Sequence, residues 1–420
     1  MNQAIIERPE YIANLERHKI AQDLIKIITG VRRCGKSTIL KMYQEKLRKN
    51  GVKENQIISI DMEDLENKPL WDGEELHKFI LGKITKSELN YVFLDEIQHV
   101  SDFGESINSL RKKGNIDLYV SGSNASLLSG RLPKILGGRY IQIHMLPLSF
   151  SEYAGAFSGK KDISIDTLFQ HYLENSSFPE ALIYWESIAV NQWDRKGIRD
   201  YLSHVYESII MRDCLQRDDV KELPQLTRVV NFLFSNIGSE TSINNMVTVI
   251  NNEFKVKPKE KNLYAPILET YLSALLDSFI FYKAERRSIK GKELLRTNAK
   301  YYSVDAALRH CMLGGTSEQN AGHILENIVF LELLRRGYKV NVGKIGDKEI
   351  DFIAYKQDGS LEYYQVSQSV IDEKTLLREL EPLQSIKDHY PKYLLTRDYD
   401  RSNFNGIRHI NVLDWLLGKE

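Results

Sequence analysis

A glycine-rich motif directly after a short apolar run is the feature that most restricts how this chain can fold. Residues 30–37 read G-V-R-R-C-G-K-S, which fits the pattern G-x-x-x-x-G-K-[ST], and the apolar run 24–29 precedes them. In this pattern the glycines permit a tight turn whose amide groups point at phosphate oxygens. The lysine contacts the β- and γ-phosphates, and the hydroxyl residue is a magnesium ligand. The residues assigned to nucleotide binding are Gly30, Val31, Arg32, Arg33, Cys34, Gly35, Lys36, Ser37 and Thr38.

A second apolar run, which ends in two carboxylates, supplies the other half of the predicted site. Residues 91–94 read Y-V-F-L, as a parallel strand covered on both faces does, and Asp95 and Glu96 follow. We expect Asp95 to hold Mg²⁺ together with Ser37, and Glu96 to orient and deprotonate the attacking water, with Lys36 also catalytic. ATP is favoured over GTP, because no Asn-Lys-x-Asp guanine-reading motif follows the acidic strand.

Polar residues at two further positions are candidates for contact with the reacting phosphate. The apolar run 118–120 ends in S-G-S-N, so Ser121, Ser123 and Asn124 each qualify, although a plain loop explains any one of them equally well. Arg139 follows two glycines and precedes a strand-like run. An arginine there could stabilise the charge of the transferring phosphate within its own subunit or across a subunit interface, or could be structural.

The alternation of strand-like and helix-like patterns predicts a P-loop NTPase domain with a parallel α/β sheet over residues 1–155. Residues 156–221 read as a helical connector. Three helical patterns followed by two strand-like runs predict a winged-helix-like domain over residues 222–315, although many other three-helix clusters share this order. The predicted strands of the first domain are 24–29, 56–61, 91–94, 117–121 and 139–144.

The last hundred residues return to an α/β pattern and are similar to restriction-endonuclease-like nucleases. Glu326 lies on a predicted helix, Asp351 begins an apolar strand, and Gln365 lies on the next strand. In such nucleases carboxylates hold magnesium, and a lysine two residues after the Glu or Gln polarises the attacking water. Ser367 stands at that position here. We therefore expect residues 316–420 to form a degenerate nuclease-like domain that binds nucleic acid or protein.

Charge is balanced over the chain but not along it. The 420 residues hold 57 basic and 57 acidic side chains, yet residues 251–300 hold eleven basic and six acidic ones. Residues 255–300 could therefore contact DNA phosphates, although a solvated loop fits equally well. The helical run 264–276 is more apolar than a groove-reading helix should be, which favours packing against protein instead.

The remaining composition predicts a cytoplasmic protein that is not embedded in a membrane. The three cysteines lack metal-ligand spacing and fit a reducing compartment, and residues 1–10 are too polar for a secretory signal. No apolar run approaches the length of roughly 18 residues that a membrane span needs.

Several motifs together resemble the prokaryotic AAA-type ATP-binding proteins that carry a C-terminal domain of unknown function. In AAA-type proteins the arginine before the fifth strand usually reaches the nucleotide of a neighbouring subunit, so the resemblance implies that Arg139 does so in a homo-oligomer. Cys34 stands where a small hydroxyl residue is more usual, and its alkylation or oxidation is expected to block binding. The residues that carry the resemblance are 28–37, 93–98, 121–123, 136–139, 146–153, 178–180, 272–281 and 301–305.

We therefore expect an Mg²⁺-dependent ATPase that couples its nucleotide state to a C-terminal DNA- or protein-binding module. Two alternatives stay open from the sequence. One is a nucleotide-dependent switch or adaptor with little turnover, and the other is an ATP-regulated nuclease.

Overall fold

A computed structural model describes most of the chain, which folds into two compact units. One unit comprises Met1–Pro147 with Asp277–Phe279, and the other comprises Leu148–Leu276 with Ile280–Glu420. The described residues are 6–19, 21–128, 131–157, 163–186, 194–215, 217, 219–220, 222–253, 264–289, 294–314, 320–399 and 402–419.

Five parallel strands form the sheet of the first unit, in the order β2-β3-β4-β1-β5. All five lie where the sequence predicts strands, to within one residue at each end, which confirms the parallel α/β architecture. The three inner strands β3, β4 and β1 are buried on both faces, as parallel strands between helices are, whereas the edge strands β2 and β5 are partly exposed. The strands are β1 (Ile25–Thr29), β2 (Ile57–Asp61), β3 (Asn90–Asp95), β4 (Ile116–Gly122) and β5 (Tyr140–His144).

Helices connect these strands and bury their apolar faces against the sheet. Asp72 begins the third helix by accepting hydrogen bonds from the amides of Glu74 and Glu75, a typical N-cap. The core includes Val92, Val120 and the helical Leu76. The helices are α1 (Pro9–His18), α2 (Lys36–Lys49), α3 (Gly73–Lys83), α4 (Phe103–Arg111) and α5 (Arg131–Leu136).

A buried ion pair joins the two central strands of this sheet. The side chains of Lys26 on β1 and Asp117 on β4 contact each other, and both are 0% exposed. Tyr119 donates its hydroxyl to Asp117 at 2.7 Å, and the Lys26 ammonium donates to the carbonyl of Ala21 at 3.0 Å. Each charge in this apolar layer therefore has a partner, which is the condition for burying it at tolerable cost.

The second unit begins with helices and ends with a mixed sheet. Ser149 opens the first of these helices with a capping box to Glu152, and Ser164 caps the second. A π-helix at Ile209–Cys214 extends the fourth helix, where the sequence predicts continued helix. The helices are α6 (Phe150–Gly155), α7 (Ile165–Asn175), α8 (Ile183–Glu186), α9 (Arg195–Ser208), α10 (Leu223–Ser235), α11 (Ile243–Glu253), α12 (Ala265–Asp277), α13 (Ala306–Leu313), α14 (Ala321–Arg335), α15 (Glu373–Gln384) and α16 (Val412–Leu416).

The sheet of the second unit has eight strands in the order β12-β13-β11-β10-β9-β8-β6-β7. Strands β8, β9 and β10 are antiparallel neighbours, whereas β10, β11 and β13 run parallel. The mixed sheet fits the predicted α/β pattern, and its nuclease-like identity stays a prediction. The strands are β6 (Phe281–Ser288), β7 (Leu294–Ser303), β8 (Lys339–Ile345), β9 (Lys348–Tyr355), β10 (Leu361–Val366), β11 (Lys392–Thr396), β12 (Asn403–Phe404) and β13 (Ile407–Asn411).

The hairpin β6–β7, which holds the two strand-like runs of the predicted winged-helix-like domain, belongs to this larger sheet. Arg286 on β6 pairs in parallel with Val342 on β8. The sheet thus continues across the predicted domain boundary at residue 315, because β6 finds its backbone partner in the later strand β8. On the other side of the hairpin, Ala299 on β7 exchanges two backbone hydrogen bonds of 3.0 Å with Thr241, in the connection between α10 and α11. The winged-helix-like domain therefore stays a prediction, and its two strands form part of the larger sheet.

No helix within the described residues is long and apolar enough to cross a membrane.

We predict that Lys26→Met destabilises the first unit by about 3–5 kcal/mol, because it leaves Asp117 as an uncompensated buried charge. Chemical unfolding followed by tryptophan fluorescence measures this loss. Lys41→Met, on the exposed face of α2, is the matched control and should change stability by less than about 0.5 kcal/mol. Equal effects of the two substitutions would contradict a structural role for the pair.

Candidate nucleotide-binding site

The loop between β1 and α2 has the geometry that a phosphate-binding loop needs. A Cβ atom on Gly30 would lie 2.1 Å from the carbonyl oxygen of Met145, so only glycine permits this close approach. Gly35 is the N-cap of α2 with a φ of 103°, a left-handed conformation that favours glycine. The loop therefore delivers the chain directly into the N-terminus of α2, where free amides and the helix dipole attract anions.

Lys36, the first residue of α2, holds its ammonium group inside this loop. It donates to the carbonyls of Gly30 at 3.1 Å and Val31 at 3.3 Å, and it lies 3.4 Å from the Glu96 carboxylate. Burial alone would lower the pKa of Lys36, but the Glu96 carboxylate raises it above its ordinary value. The site thus keeps a full positive charge at the position where phosphate oxygens are expected.

Glu96 is held in an unusual backbone conformation at the end of β3. Its φ of 50° is left-handed, which costs free energy for a residue with a Cβ atom and persists where the surroundings enforce it. The amide of Ser123 donates to its carboxylate at 3.2 Å, and the Gln98 amide group donates to the same oxygen. Burial would raise the pKa of Glu96, but Lys36, Gln98 and Arg32 lower it to about 2. The carboxylate is therefore ionised and oriented.

Asp95 and Ser37 meet beside this pair. Leu94 on β3 lies opposite Val120 on β4, so the next residues along the two strands, Asp95 and Ser121, are also neighbours. The hydroxyl of Ser121 donates to the Asp95 carboxylate, and Ser37 is its second hydroxyl partner. Burial raises the pKa of Asp95, and the two hydroxyl groups partly oppose that shift.

The residues after β4 take part in different ways. Ser121 also accepts the amide hydrogen of Glu96 through its hydroxyl at 3.1 Å, while Ser123 contributes its backbone amide to the Glu96 carboxylate. Asn124 accepts a hydrogen bond from the Leu127 amide through its backbone carbonyl at 3.2 Å. Ser121, which the sequence could not separate from its neighbours, thus contacts both carboxylate residues.

The other five residues assigned to nucleotide binding differ in the surroundings of their side chains. Arg32 donates to the Glu63 carboxylate at 2.8 Å, the local pairing that the sequence left open. Val31 and Cys34 are fully buried. Burial raises the pKa of the Cys34 thiol, so the expected sensitivity of this cysteine to alkylation or oxidation is not supported by its surroundings. Arg33 and Thr38 lie at the exposed surface of the loop and helix.

Arg139 lies at the opposite end of β1 from the phosphate-binding loop of its own chain, which argues against the first of the three roles considered for it. Its carbonyl accepts the amide of Ile25, at the beginning of β1, whereas the phosphate-binding loop follows the other end of that strand. Five residues of strand separate the two ends by roughly 15 Å. The exposed Arg139 side chain instead lies 3.7 Å from Asp23. A contact with the nucleotide of a neighbouring subunit remains a prediction.

Two residues that the sequence analysis did not assign to the site support it. Gln98 links Glu96 to the Ser123 hydroxyl, which lies 3.4 Å away. The buried Arg8, just before α1, donates to the carbonyl of Cys34 at 3.0 Å and to that of Leu146 at 2.9 Å. Arg8 thereby ties the loop to the segment after β5. Arg8 carries no motif, because its role depends on contacts between distant parts of the chain. Gln98 lies within the motif 93–98, but the motif alone does not indicate its contact with Ser123.

The described part of the basic segment uses its charges within the fold. Arg286 pairs with Glu240, Arg287 lies over the ring of Tyr355 at 5.0 Å, and Lys300 is buried. These three residues therefore have partners within the fold, whereas Lys283 is exposed and pairs with Glu285. A DNA contact through residues 255–300 stays a prediction. The lysines at 255, 257, 259 and 261 and those at 290 and 292 lie outside the described residues.

Comparisons with known proteins agree with this geometry. Residues 22–154 match the family model of an AAA domain, and residues 166–319 match that of a domain of unknown function (DUF8612). A Walker-type ATPase of Pyrococcus abyssi has a similar fold, with a TM-score of 0.50 and 16% identity over 74% of this chain and 97% of that one. Residues 22–154 are thus an AAA domain with the fold of a P-loop nucleotide-binding protein.

Two sequence relatives cover much of the chain. A Haemophilus influenzae protein is 37% identical over 420 residues, which is 99% of this chain and 100% of that protein. A Methanocaldococcus jannaschii protein is 29% identical over 359 residues, or 82% of this chain and 75% of that protein. The chain belongs to the family of the Haemophilus influenzae protein.

We predict that Arg8→Ala weakens binding of a fluorescent ATP analogue about tenfold, or about 1.4 kcal/mol, because the loop loses its charged anchor while every phosphate-facing group remains. Fluorescence titration measures the affinity. Glu10→Ala, in the first turn of α1, is the control, because this side chain is exposed, and it should bind like the wild type. Unchanged affinity in Arg8→Ala would show that the loop holds its shape without this anchor.

Proposed function

We propose that the protein binds ATP with Mg²⁺, hydrolyses it, and couples the nucleotide state to a binding function of the C-terminal unit. One observation supports this most strongly. At a single edge of the parallel sheet, the Lys36 ammonium group lies between the loop carbonyls and an ionised, oriented Glu96. A cradle of amides, a buried cation and a fixed carboxylate are the groups that phosphoryl transfer to water requires.

The residues present fit a magnesium ion at this edge. The Ser37 hydroxyl and the Asp95 carboxylate are hydrogen-bonded partners, so two hard oxygen donors already lie together. Mg²⁺ in nucleotide sites needs only one or two protein ligands, because water and phosphates supply the others. Ser37 and Asp95 would hold the ion, which would neutralise charge on the β- and γ-phosphates.

The Lys36–Glu96 pair suggests how binding would prepare the chain for hydrolysis. Phosphate oxygens carry more charge than one carboxylate and would compete with Glu96 for the lysine. Once that contact is weakened, the pKa of Glu96 rises from its low value, because Lys36 is the largest of the groups that depress it. Glu96, still held by Gln98 and the Ser123 amide, would then accept the proton of the attacking water more readily.

A short chain of contacts supports coupling between the loop and the middle of the sequence. The ring of Phe279 lies 4.7 Å from that of His144, at the end of β5. His144 in turn lies 3.3 Å from the hydroxyl of Thr29, the residue before Gly30. Asp277–Phe279 is grouped with the nucleotide-binding unit although the chain on both sides of it belongs to the other unit. A shift of the loop would therefore reach the α12–β6 connection through packed side chains.

We predict that Glu96→Gln retains ATP binding but lowers turnover by about 100-fold or more, the usual contribution of a positioned general base. Lys36→Ala should instead lose binding. Equilibrium binding of labelled ATP and steady-state phosphate release separate the two effects. The control is Glu88→Gln, in a surface ion pair of the same unit.

The same measurements distinguish the proposal from its nearest alternative. Wild-type turnover in Glu96→Gln would contradict the role of Glu96. Tight ATP binding with negligible hydrolysis by the wild type, with or without single- or double-stranded DNA, would favour a nucleotide-dependent switch. Stimulation of turnover by DNA would identify nucleic acid as the partner of the C-terminal unit, whereas indifference would favour a protein.

We further predict that Arg139 completes the site of a neighbouring subunit, so that Arg139→Ala binds ATP normally but loses about a thousandfold in turnover. Mixing Arg139→Ala with Lys36→Ala subunits should restore activity, since the second variant supplies Arg139 to the intact loop of the first. The control mixture replaces Lys36→Ala by the double variant Lys36→Ala/Arg139→Ala and should stay inactive. Full activity of Arg139→Ala alone would rule out this role.

A further inference from the structure

The nuclease-like positions of the second unit converge in the structure, but a lysine lies among them. Glu326 on α14 and Asp351 on β9 both face the ammonium group of Lys300 on β7. The distances from its Nζ are 2.8 Å to Glu326, 2.7 Å to Glu349 and 4.0 Å to Asp351. Lys300 lies on β7, in the β6–β7 hairpin that continues the sheet. None of the predicted nuclease residues lies on that strand.

We call these four residues the Lys300 cluster (Lys300, Glu326, Glu349 and Asp351). Other residues of the fold donate further hydrogen bonds to the carboxylates of Glu326 and Asp351. Tyr302, two residues along β7 and on the same strand face, donates to Glu326 at 2.6 Å. The amide of Val366 donates to the second oxygen of Asp351 at 2.8 Å. Lys300 is 4% exposed, Glu326 6% and Asp351 8%, whereas the side chain of Glu349 is 32% exposed. The two predicted nuclease carboxylates and the lysine between them are therefore buried, and only Glu349 reaches the surface.

The side chains at the other two predicted nuclease positions, Gln365 and Ser367, also form hydrogen bonds with protein groups. The Gln365 side chain accepts the Asp351 amide at 3.4 Å and donates to Glu379 at 2.9 Å, so both ends of its amide group have protein partners. Ser367, which stands at the position of the nuclease lysine, donates its hydroxyl to the carbonyl of Ser369 at 3.3 Å. Among the residues described, no set of three or more His, Cys, Asp and Glu side chains is suited to a metal ion.

The donor set therefore does not fit the metal ion that a nuclease-like domain implies. A divalent cation needs the carboxylate oxygens that Lys300 already contacts, and the ammonium group would repel it at short range in this low-dielectric interior. We propose that Lys300 is a built-in cation that takes the place of the metal ion, so that the C-terminal unit is a metal-independent fold that does not cleave nucleic acid. The ATP-regulated nuclease is then excluded as a function of this chain.

The inference makes a prediction about metal binding that needs no catalytic assay. The protein is melted in EDTA and in Mn²⁺ without nucleotide, in an Asp95→Asn background that removes the nucleotide-site carboxylate. The parent should show the same melting temperature in both conditions. Lys300→Met should melt about 10 °C lower in EDTA, because it leaves buried carboxylates unpaired, and should regain part of that loss in Mn²⁺, which can now enter.

Two further variants serve as controls, one for the position of the substitution and one for the charge. Lys283→Met, on the other strand of the same hairpin and in a half-exposed pair with Glu285, should behave like the parent in both conditions. Lys300→Arg keeps the charge and should stay insensitive to Mn²⁺, which gives a usable comparison even if Lys300→Met does not fold.

Results on the unsubstituted cluster would overturn the proposal directly. Stabilisation of the parent by Mn²⁺, or saturable Mn²⁺ binding to it, would show that metal and Lys300 coexist. Mn²⁺- or Mg²⁺-dependent cutting of DNA or RNA by the wild type that Lys300→Met abolishes would make Lys300 a catalytic lysine supplied from another strand. Neither result bears on ATP hydrolysis, so this inference and the proposed ATPase fail independently.

Discussion

The parallel register of β1, β3 and β4 is the constraint on which the nucleotide site depends. Thr29 at the end of β1 pairs with Gly122 at the end of β4, and Leu94 near the end of β3 pairs with Val120. The carboxyl ends of the three strands are therefore level. A shift of one residue would turn each tip side chain to the other face of the sheet. This common edge is what brings the phosphate-binding loop, the two carboxylates and the β4 hydroxyl together.

The sequence predicts the parts of this site that are local and misses those that are not. Each strand of the first sheet is a short apolar run, so its position follows from pattern alone, and Lys36, Asp95 and Glu96 follow from their places at strand ends. The contacts of Arg8 with Leu146 and of Gln98 with Ser123 could not be predicted in the same way, because each joins segments far apart in the chain. Arg139 was assigned from its place before β5, yet parallel pairing puts the beginning of a strand at the opposite edge from the loop.

The second unit shows the same limit more strongly. The strands β9 and β10 were predicted from their apolar patterns, and the residues Glu326, Asp351 and Gln365 do converge. Lys300, the partner that decides their chemistry, lies on a strand that was predicted to belong to a different domain. It was also among the residues considered for contact with DNA. Its burial depends on the pairing of β6 with β8, a long-range parallel contact that no local pattern encodes.

Three buried lysines illustrate why similar ion pairs imply different functions. Lys26 and Lys300 have partners fixed inside a sheet or between a strand and a helix, so removing those partners leaves a charge that nothing else can satisfy. Lys36 shares the low exposure, but two of its partners are loop carbonyls and the third is a carboxylate at the open edge of the sheet. An incoming phosphate can replace that carboxylate without leaving the ammonium group unpaired. Exchangeability of the partner, rather than burial of the charge, therefore separates the lysine of a ligand site from the lysines that hold the fold.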